Sequence, residues 1–123
     1  EDDFLYLRFL HRWVAGGAGG EELDALLAAM ERVLDGARSP RLDLCRAVLA
    51  RDAAAFGRAF DALLEARFAD IALERRGVAD DSVCAAAGTH VFVEGLALLR
   101  LAALAGMATR AEYPLCPALA RLP

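Results

Sequence analysis

Hydrophobic residues recur at intervals of three and four positions along most of the chain, which is the spacing of one face of an α-helix. The pattern covers residues 4–14, 21–35 and 42–49, and a longer one runs from 53 to about 76. Each stripe predicts a helix that packs one face against its neighbours. Around residues 4–14 apolar side chains occupy most of the circumference, so we expect this first helix to be largely buried.

Residues with strong turn and capping preferences separate these stripes. Four glycines between Gly16 and Gly20 end the first helix, and Gly36 suits the end of the second. The pair Ser39-Pro40 is typical of an N-cap followed by the first helical residue. Asp52 can cap the fourth helix, which Gly77 ends. The boundaries therefore agree with the periodicity.

The segment from about residue 85 to 105 is almost entirely apolar. Only four residues interrupt it: Thr89, His90, Glu94 and Arg100. A helix that is apolar on every side belongs inside a bundle, so we predict a central helix over about residues 88–106. Pro114 and Pro117 prevent a regular helix in the tail, which we expect to fold back. The sequence therefore predicts an all-α fold, a bundle of about five helices with a Pro-containing C-terminal tail.

The length and composition favour one folded domain. The chain has 123 residues, 58% of them hydrophobic, which predicts a single helical domain over residues 1–123 and excludes a disordered chain. It begins at Glu1 rather than Met, so it is compatible with being the C-terminal part of a longer protein. No apolar run of membrane-spanning length is free of charged residues, so we expect no membrane partner.

The charge balance favours one class of binding partner over another. Asp and Glu number 18 against 14 basic residues, all of them Arg, for a net charge of −4. This excludes a nucleic-acid binder, which needs a basic face. A basic protein partner fits better, since opposite charge speeds encounter. The candidate contact face is acidic and comprises Asp61, Glu65, Asp80 and Asp81, although such residues are more often simply solvated.

Candidate catalytic or metal-binding chemistry is sparse. His90 and Glu94 would share one face of the central helix, but two ligands do not make a metal site. We expect His90, Glu94, Arg100 and Tyr113 to form a structural polar core, because a buried carboxylate needs a partner. Cys45, Cys84 and Cys116 lie in apolar stretches and are expected to pack as small hydrophobic residues. We therefore predict no catalytic residue, no metal and no cofactor.

Two segments carry a resemblance. Residues 44–65 form a helix, an Asp turn and a helix with spaced Phe, and residues 92–106 form an apolar helix followed by Tyr113-Pro114. Together they resemble the C-terminal part of the immunity protein 49 family of bacterial polymorphic-toxin systems, over residues 42–119. Other all-helical immunity proteins, which neutralise DNase toxins, are similar in this respect. The N-terminal glycine segment has no counterpart in the resemblance.

The resemblance implies a cytoplasmic immunity protein, not an enzyme, that binds and neutralises a cognate toxin, for which a basic nuclease domain is one candidate. It identifies no contact residue and no oligomeric state. One alternative is a non-catalytic helical scaffold or adaptor that holds a peptide or partner helix in an apolar groove. Another is a hydrolase that uses His90 and Glu94, which would require both side chains to open into a pocket.

Overall fold

The computed structural model describes residues 1–16, 19–76 and 90–121 of the chain. These residues contain five α-helices, a short 3₁₀ helix and no strand, which confirms the all-α prediction. The helices are α1 Asp2–Ala15, α2 Gly20–Leu34, α3 Pro40–Ala50, α4 Ala53–Arg76 and α5 Val93–Leu104, and the 3₁₀ helix spans Ala118–Arg121.

Two of the helices, α3 and α4, begin at capping residues that the sequence contains. The Ser39 hydroxyl accepts a hydrogen bond from the backbone N–H of Leu42 at 3.4 Å, with Pro40 as the first residue of α3. The Asp52 carboxylate accepts one from the N–H of Ala55 at 3.0 Å at the start of α4. Both bonds satisfy N–H groups that have no partner within the helix, and they confirm the predicted caps.

The chain divides into two compact units, Glu1–Ala59 and Phe60–Pro123, and the division falls within α4. In the first unit α1, α2 and α3 pack together around an apolar core. An ion pair of 2.9 Å joins Arg12 to Glu22. The single domain over residues 1–123 stays a prediction. The buried core residues of this unit are Tyr6, Phe9, Leu23, Leu26, Met30, Leu42, Leu44, Cys45, Ala47, Val48, Phe56 and Ala59.

Helix α1 is buried on one face only, which corrects the expectation that it is largely enclosed. Tyr6 and Phe9 point into the core, whereas Phe4, Leu7 and Val14 are each more than half exposed. The three exposed residues are spaced by three and seven positions, so they lie along one outward face. The first helix therefore has an apolar side that no described residue covers.

The second unit contains the rest of α4, α5 and the 3₁₀ helix. The chain after α5 packs back on that helix, as the two prolines of the tail predicted. Among the described helices, none has the combination of length and apolar character that crossing a membrane requires. The buried core residues of this unit are Phe60, Leu63, Leu64, Ile71, Phe92, Leu98, Leu99, Ala102, Met107, Tyr113 and Cys116.

Helix α5 differs from the predicted central helix in its start and its burial. Residues 90–92 lie outside the helix, because the N–H of Phe92 donates to the carbonyl of Leu115 at 2.8 Å and holds Phe92 in an extended conformation. The face that contains Leu98 and Leu99 is buried, while Val93 is 73% and Leu104 is 70% exposed. The predicted start near residue 88 and the enclosure on every side are therefore wrong for the described residues.

Two of the three cysteines are buried as free thiols, Cys45 in the first unit and Cys116 in the second. Cys84 lies outside the described residues. Burial raises the pKa of Cys45 to about 12 and also raises the pKa of Cys116, against which the positive charge of Arg121 acts in part. The packing prediction for these two thiols is confirmed.

We expect neither buried thiol to react with an aromatic disulfide reagent in the native protein. Reaction requires an exposed thiolate, and the raised pKa keeps Cys45 protonated at about pH 8, where an unfolded thiol already begins to ionise. The measurement is labelling of the Cys84→Ala variant with and without denaturant, with a free thiol compound as the control. Two thiols should appear only on unfolding, and rapid labelling of both in buffer would contradict the burial.

Cys45 is also expected to make the free energy of unfolding depend on pH in alkaline solution. Its folded-state pKa lies above its unfolded value, so the stabilisation from the buried, neutral thiol is fully present below about pH 8.5 and is lost as the pH rises towards about 12.

Candidate partner-binding surfaces

An arginine from the tail neutralises one carboxylate of the predicted acidic face. Asp61 and Glu65 lie one turn apart on α4 in the second unit. The guanidinium of Arg110 donates a hydrogen bond to the carboxylate of Asp61, so that charge is already matched within the protein. Glu65 is exposed and forms no ion pair with any described residue. Asp80 and Asp81 lie outside the described residues.

The predicted polar core is not formed by His90 and Arg100. His90 is exposed and precedes α5, so it does not share a helix face with Glu94. Arg100 is exposed as well, and Glu94 is half-buried. The prediction assumed a helix that begins near residue 88, and the extended residue Phe92 breaks that register. Within the described ranges, no three His, Cys, Asp or Glu side chains are grouped closely enough to hold a metal ion.

Tyr113 is the member of that predicted set that the structure buries. The edge of its ring faces Phe60, with ring centroids 4.9 Å apart and an interplanar angle of 72°. Its hydroxyl accepts a hydrogen bond from the backbone N–H of Arg110 at 3.1 Å. Such an edge-to-face pair adds about 0.5–1.5 kcal/mol to the gain from burial. Tyr113 therefore fixes the tail against α4.

Two guanidinium groups flank the Tyr113 ring. The Arg110 guanidinium lies 4.4 Å and that of Arg121 lies 5.7 Å from the ring centroid, within the range of a cation–π interaction. Arg121 also donates to the carbonyls of Arg110 and Ala111, at 2.9 Å each, and to the hydroxyl of Thr109 at 3.0 Å. These bonds hold the segment before Tyr113 in place and fix the position of the Arg121 guanidinium.

A shallow cleft of about 220 Å³ opens beside Arg121, between α5 and the 3₁₀ helix. We call it the arginine cleft. Leu104 and Leu119, which follow cleft residues in the chain, are 70% and 82% exposed. The sequence pattern does not predict this cleft, and its one signal is Arg100 inside a run of apolar residues. The cleft is lined by Leu99, Arg100, Ala103, Ala118 and Arg121.

A larger open cleft of about 430 Å³ lies in the first unit, between the end of α2 and the start of α3. Its charged lining residues balance, with Arg38 and Arg46 against Glu31 and Asp43. Arg46 donates to the carboxylate of Glu31 at 2.7 Å and to that of Asp43 at 3.1 Å. The hydrogen bond to Glu31 is the main reason that the pKa of Arg46 is raised. Arg38 also lines the cleft and forms no ion pair with a described residue, but the two guanidinium groups and two carboxylates of the lining sum to zero charge, so the cleft has no net charge with which to attract a partner.

The comparison with known protein families decides which class of protein this is. The sequence pattern of the immunity protein 49 family matches residues 1–120. The chain belongs to this family. The match includes the N-terminal helices and the glycine segment, so it extends the resemblance that the sequence analysis had found only over residues 42–119. No curated protein and no solved structure matches the chain.

Membership of the immunity protein 49 family has three consequences for the surfaces described above. It suggests toxin immunity as the biological role, and it implies a cognate toxin as the partner. Proteins of this class are generally non-catalytic. The surfaces should therefore be judged as places where another protein can dock.

Proposed function

We propose that this protein binds its cognate bacterial toxin in the cytoplasm and neutralises it by sequestration, without catalysing a reaction. The observation that carries the proposal is the family match over residues 1–120. A nuclease domain with a basic active-site surface is the proposed class of toxin, because this chain is acidic, with a net charge of −4. Opposite net charges accelerate encounter between two proteins.

The proposed contact face is the acidic surface of Asp61, Glu65, Asp80 and Asp81. Glu65 supports it best, since its carboxylate is exposed and has no ion-pair partner among the described residues. Asp61 contributes less charge, because Arg110 is bound to it. A change at Asp61 would also disturb the tail, so Glu65 is the cleaner position for a test.

The direct experiment uses the toxin domain encoded beside the gene for this chain. The purified chain should capture that domain in a pull-down, and co-expression should restore growth of cells that produce the toxin. If the toxin domain is neither retained nor counteracted, the proposed function is wrong.

Charge reversal at Glu65 should weaken toxin binding by about tenfold and reduce its dependence on salt. The control is Asp24→Arg, which makes the same change in net charge at an exposed carboxylate of α2 in the first unit that forms no ion pair with a described residue. The dissociation constants of the Glu65→Arg variant and of the control are measured at about 50 mM and about 500 mM salt. At the higher concentration, salt largely screens the interactions between exposed charges. Equal affinities for the wild type and both variants would remove Glu65 from the contact face.

A helical adaptor remains the second candidate, and the exposed face of α1 is the observation that favours it. Phe4, Leu7 and Val14 form an apolar row on which a partner helix could pack. An adaptor of this kind would bind its peptide in the absence of any toxin, and its affinity would change little with salt, because apolar contacts are not screened.

A further inference from the structure

We infer that the arginine cleft is a second docking site, which receives an acidic segment of a protein partner. This inference rests on the proposed function in one respect: the partner that would carry the segment is the cognate toxin. The described lining of the cleft shares no residue with the proposed acidic face, and its charge is of the opposite sign. The lining of the cleft and the contacts of its two arginines support the inference.

The lining combines an apolar floor with cationic edges. Leu99, Ala103 and Ala118 supply the apolar surface, and Arg100 and Arg121 supply the charge. No carboxylate is among the lining residues that the structure describes. A partner side chain that enters such a cleft can bury its carbon atoms on the floor and place a carboxylate against a guanidinium, where a charge-assisted hydrogen bond is about twice as strong as a neutral one.

The two arginines have no acidic partner in the described part of the chain. Arg100 forms neither an ion pair nor a hydrogen bond there. Arg121 donates to two backbone carbonyls and to the hydroxyl of Thr109, which fixes its position without neutralising it. The neighbouring Arg110 is different, because Asp61 accepts its hydrogen bond. Within the described ranges, two guanidinium groups without an acidic partner therefore lie at one small site of a chain whose net charge is negative.

The surroundings favour a protein segment over a nucleic acid. The described lining residues include no aromatic ring that could stack on a base. Two guanidinium groups on a chain of net charge −4 are too few to hold a polyanionic backbone. Leucine next to Asp or Glu is the side-chain pair that this combination of apolar floor and positive charge accommodates.

In a complex with the toxin, this site would fix the orientation of the two proteins. An acidic face and a basic cleft on the same protein require a partner with the reverse arrangement, and charge patterns of mixed sign discriminate between partners more sharply than a uniform charge does. Arginine is also among the residues that most often dominate the energy of an interface.

The first test needs no toxin. The probe is a capped peptide of alternating glutamate and leucine, added to the isotopically labelled protein, and the backbone amide resonances report where it binds. Saturable shifts are expected along the second half of α5 and at residues 118–121, and the same peptide with glutamine in place of glutamate should produce none. Shifts absent from these residues, or equal for both peptides, would overturn the inference.

The matched variants are Arg100→Glu and Arg58→Glu. Both residues are exposed helical arginines without an ion pair among the described residues, but Arg58 lies in the first unit. We expect Arg100→Glu to weaken binding of the glutamate peptide at least tenfold, and Arg58→Glu to change it less than twofold. Unchanged thermal unfolding of Arg100→Glu shows that the loss is local. Equal binding by both variants would contradict the assigned site.

The second test measures binding of the toxin domain by the wild-type chain and by Arg100→Glu. If the wild-type chain binds the toxin domain and Arg100→Glu binds it equally well, the cleft is not part of that interface and this inference fails, while the proposed function stands. If the wild-type chain does not bind the toxin domain, the proposed function fails, and the peptide titration still decides whether the cleft receives acidic segments.

Discussion

Replacement of Phe60 by alanine is expected to lower the free energy of unfolding by about 3–5 kcal/mol. The Phe60 side chain is 0% exposed, and its ring meets the edge of Tyr113. The substitution removes a large apolar group from the core and leaves a cavity under Tyr113, where the neighbouring side chains can collapse only in part. Because a domain of this size is stable by about 5–15 kcal/mol, such a loss removes a large share of the margin.

Phe68→Ala is the matched control, since it makes the same change on the same helix. Phe68 is 45% exposed, so we expect its loss to cost less than about 1 kcal/mol. Urea denaturation monitored by far-UV circular dichroism measures both variants, provided that the slope of the free energy against urea stays unchanged. Equal destabilisation by the two substitutions would contradict the packing of Phe60 against the tail.

Gly95→Ala is expected to destabilise the protein by about 1–3 kcal/mol, even though alanine is the better helix former. A methyl group at Gly95 would lie 2.7 Å from the sulfur of Cys116 and 2.7 Å from a ring carbon of Phe92. Both neighbours are buried, so neither can move aside without disturbing the contact between α5 and the tail. The required shift outweighs the gain in helix propensity.

A second glycine provides a control of opposite sign. Gly57 lies within α4, and nothing is found within 4 Å of the position that its added methyl group would occupy. Gly57→Ala should therefore stabilise the protein by up to about 1 kcal/mol. Removing the sulfur should relieve part of the strain, so the double variant Gly95→Ala/Cys116→Ala should lose less than the sum of its two single variants. Stabilisation by Gly95→Ala would refute the close packing.

Most of the helical architecture could be predicted from local sequence. The three- and four-residue spacing located α1 to α4, and Ser39 and Asp52 marked two helix starts, because a capping bond joins residues only three positions apart. The error at α5 has a long-range cause. Phe92 looks helical in its apolar run, but its N–H is bonded to Leu115, and local propensity contains no information about that partner.

The surfaces were less predictable for the same reason. Asp61 and Glu65 look equivalent in sequence, one helical turn apart, yet Arg110 neutralises only Asp61, from 49 residues away. The arginine cleft depends on how the 3₁₀ helix lies against α5, which no periodic pattern encodes. The family match extended the sequence resemblance to the N-terminal helices, and it identified the kind of partner without identifying the contact residues.

Titration of the toxin with the purified chain tests sequestration most directly. The activity of a fixed amount of toxin domain is measured as the chain is added, at concentrations well above the dissociation constant. Sequestration predicts that activity falls linearly and reaches zero at a fixed, stoichiometric ratio of chain to toxin, and that it returns when the complex is dissociated. Complete and lasting loss of activity at a small fraction of that ratio would show that the chain inactivates the toxin catalytically, and it would contradict the proposed function.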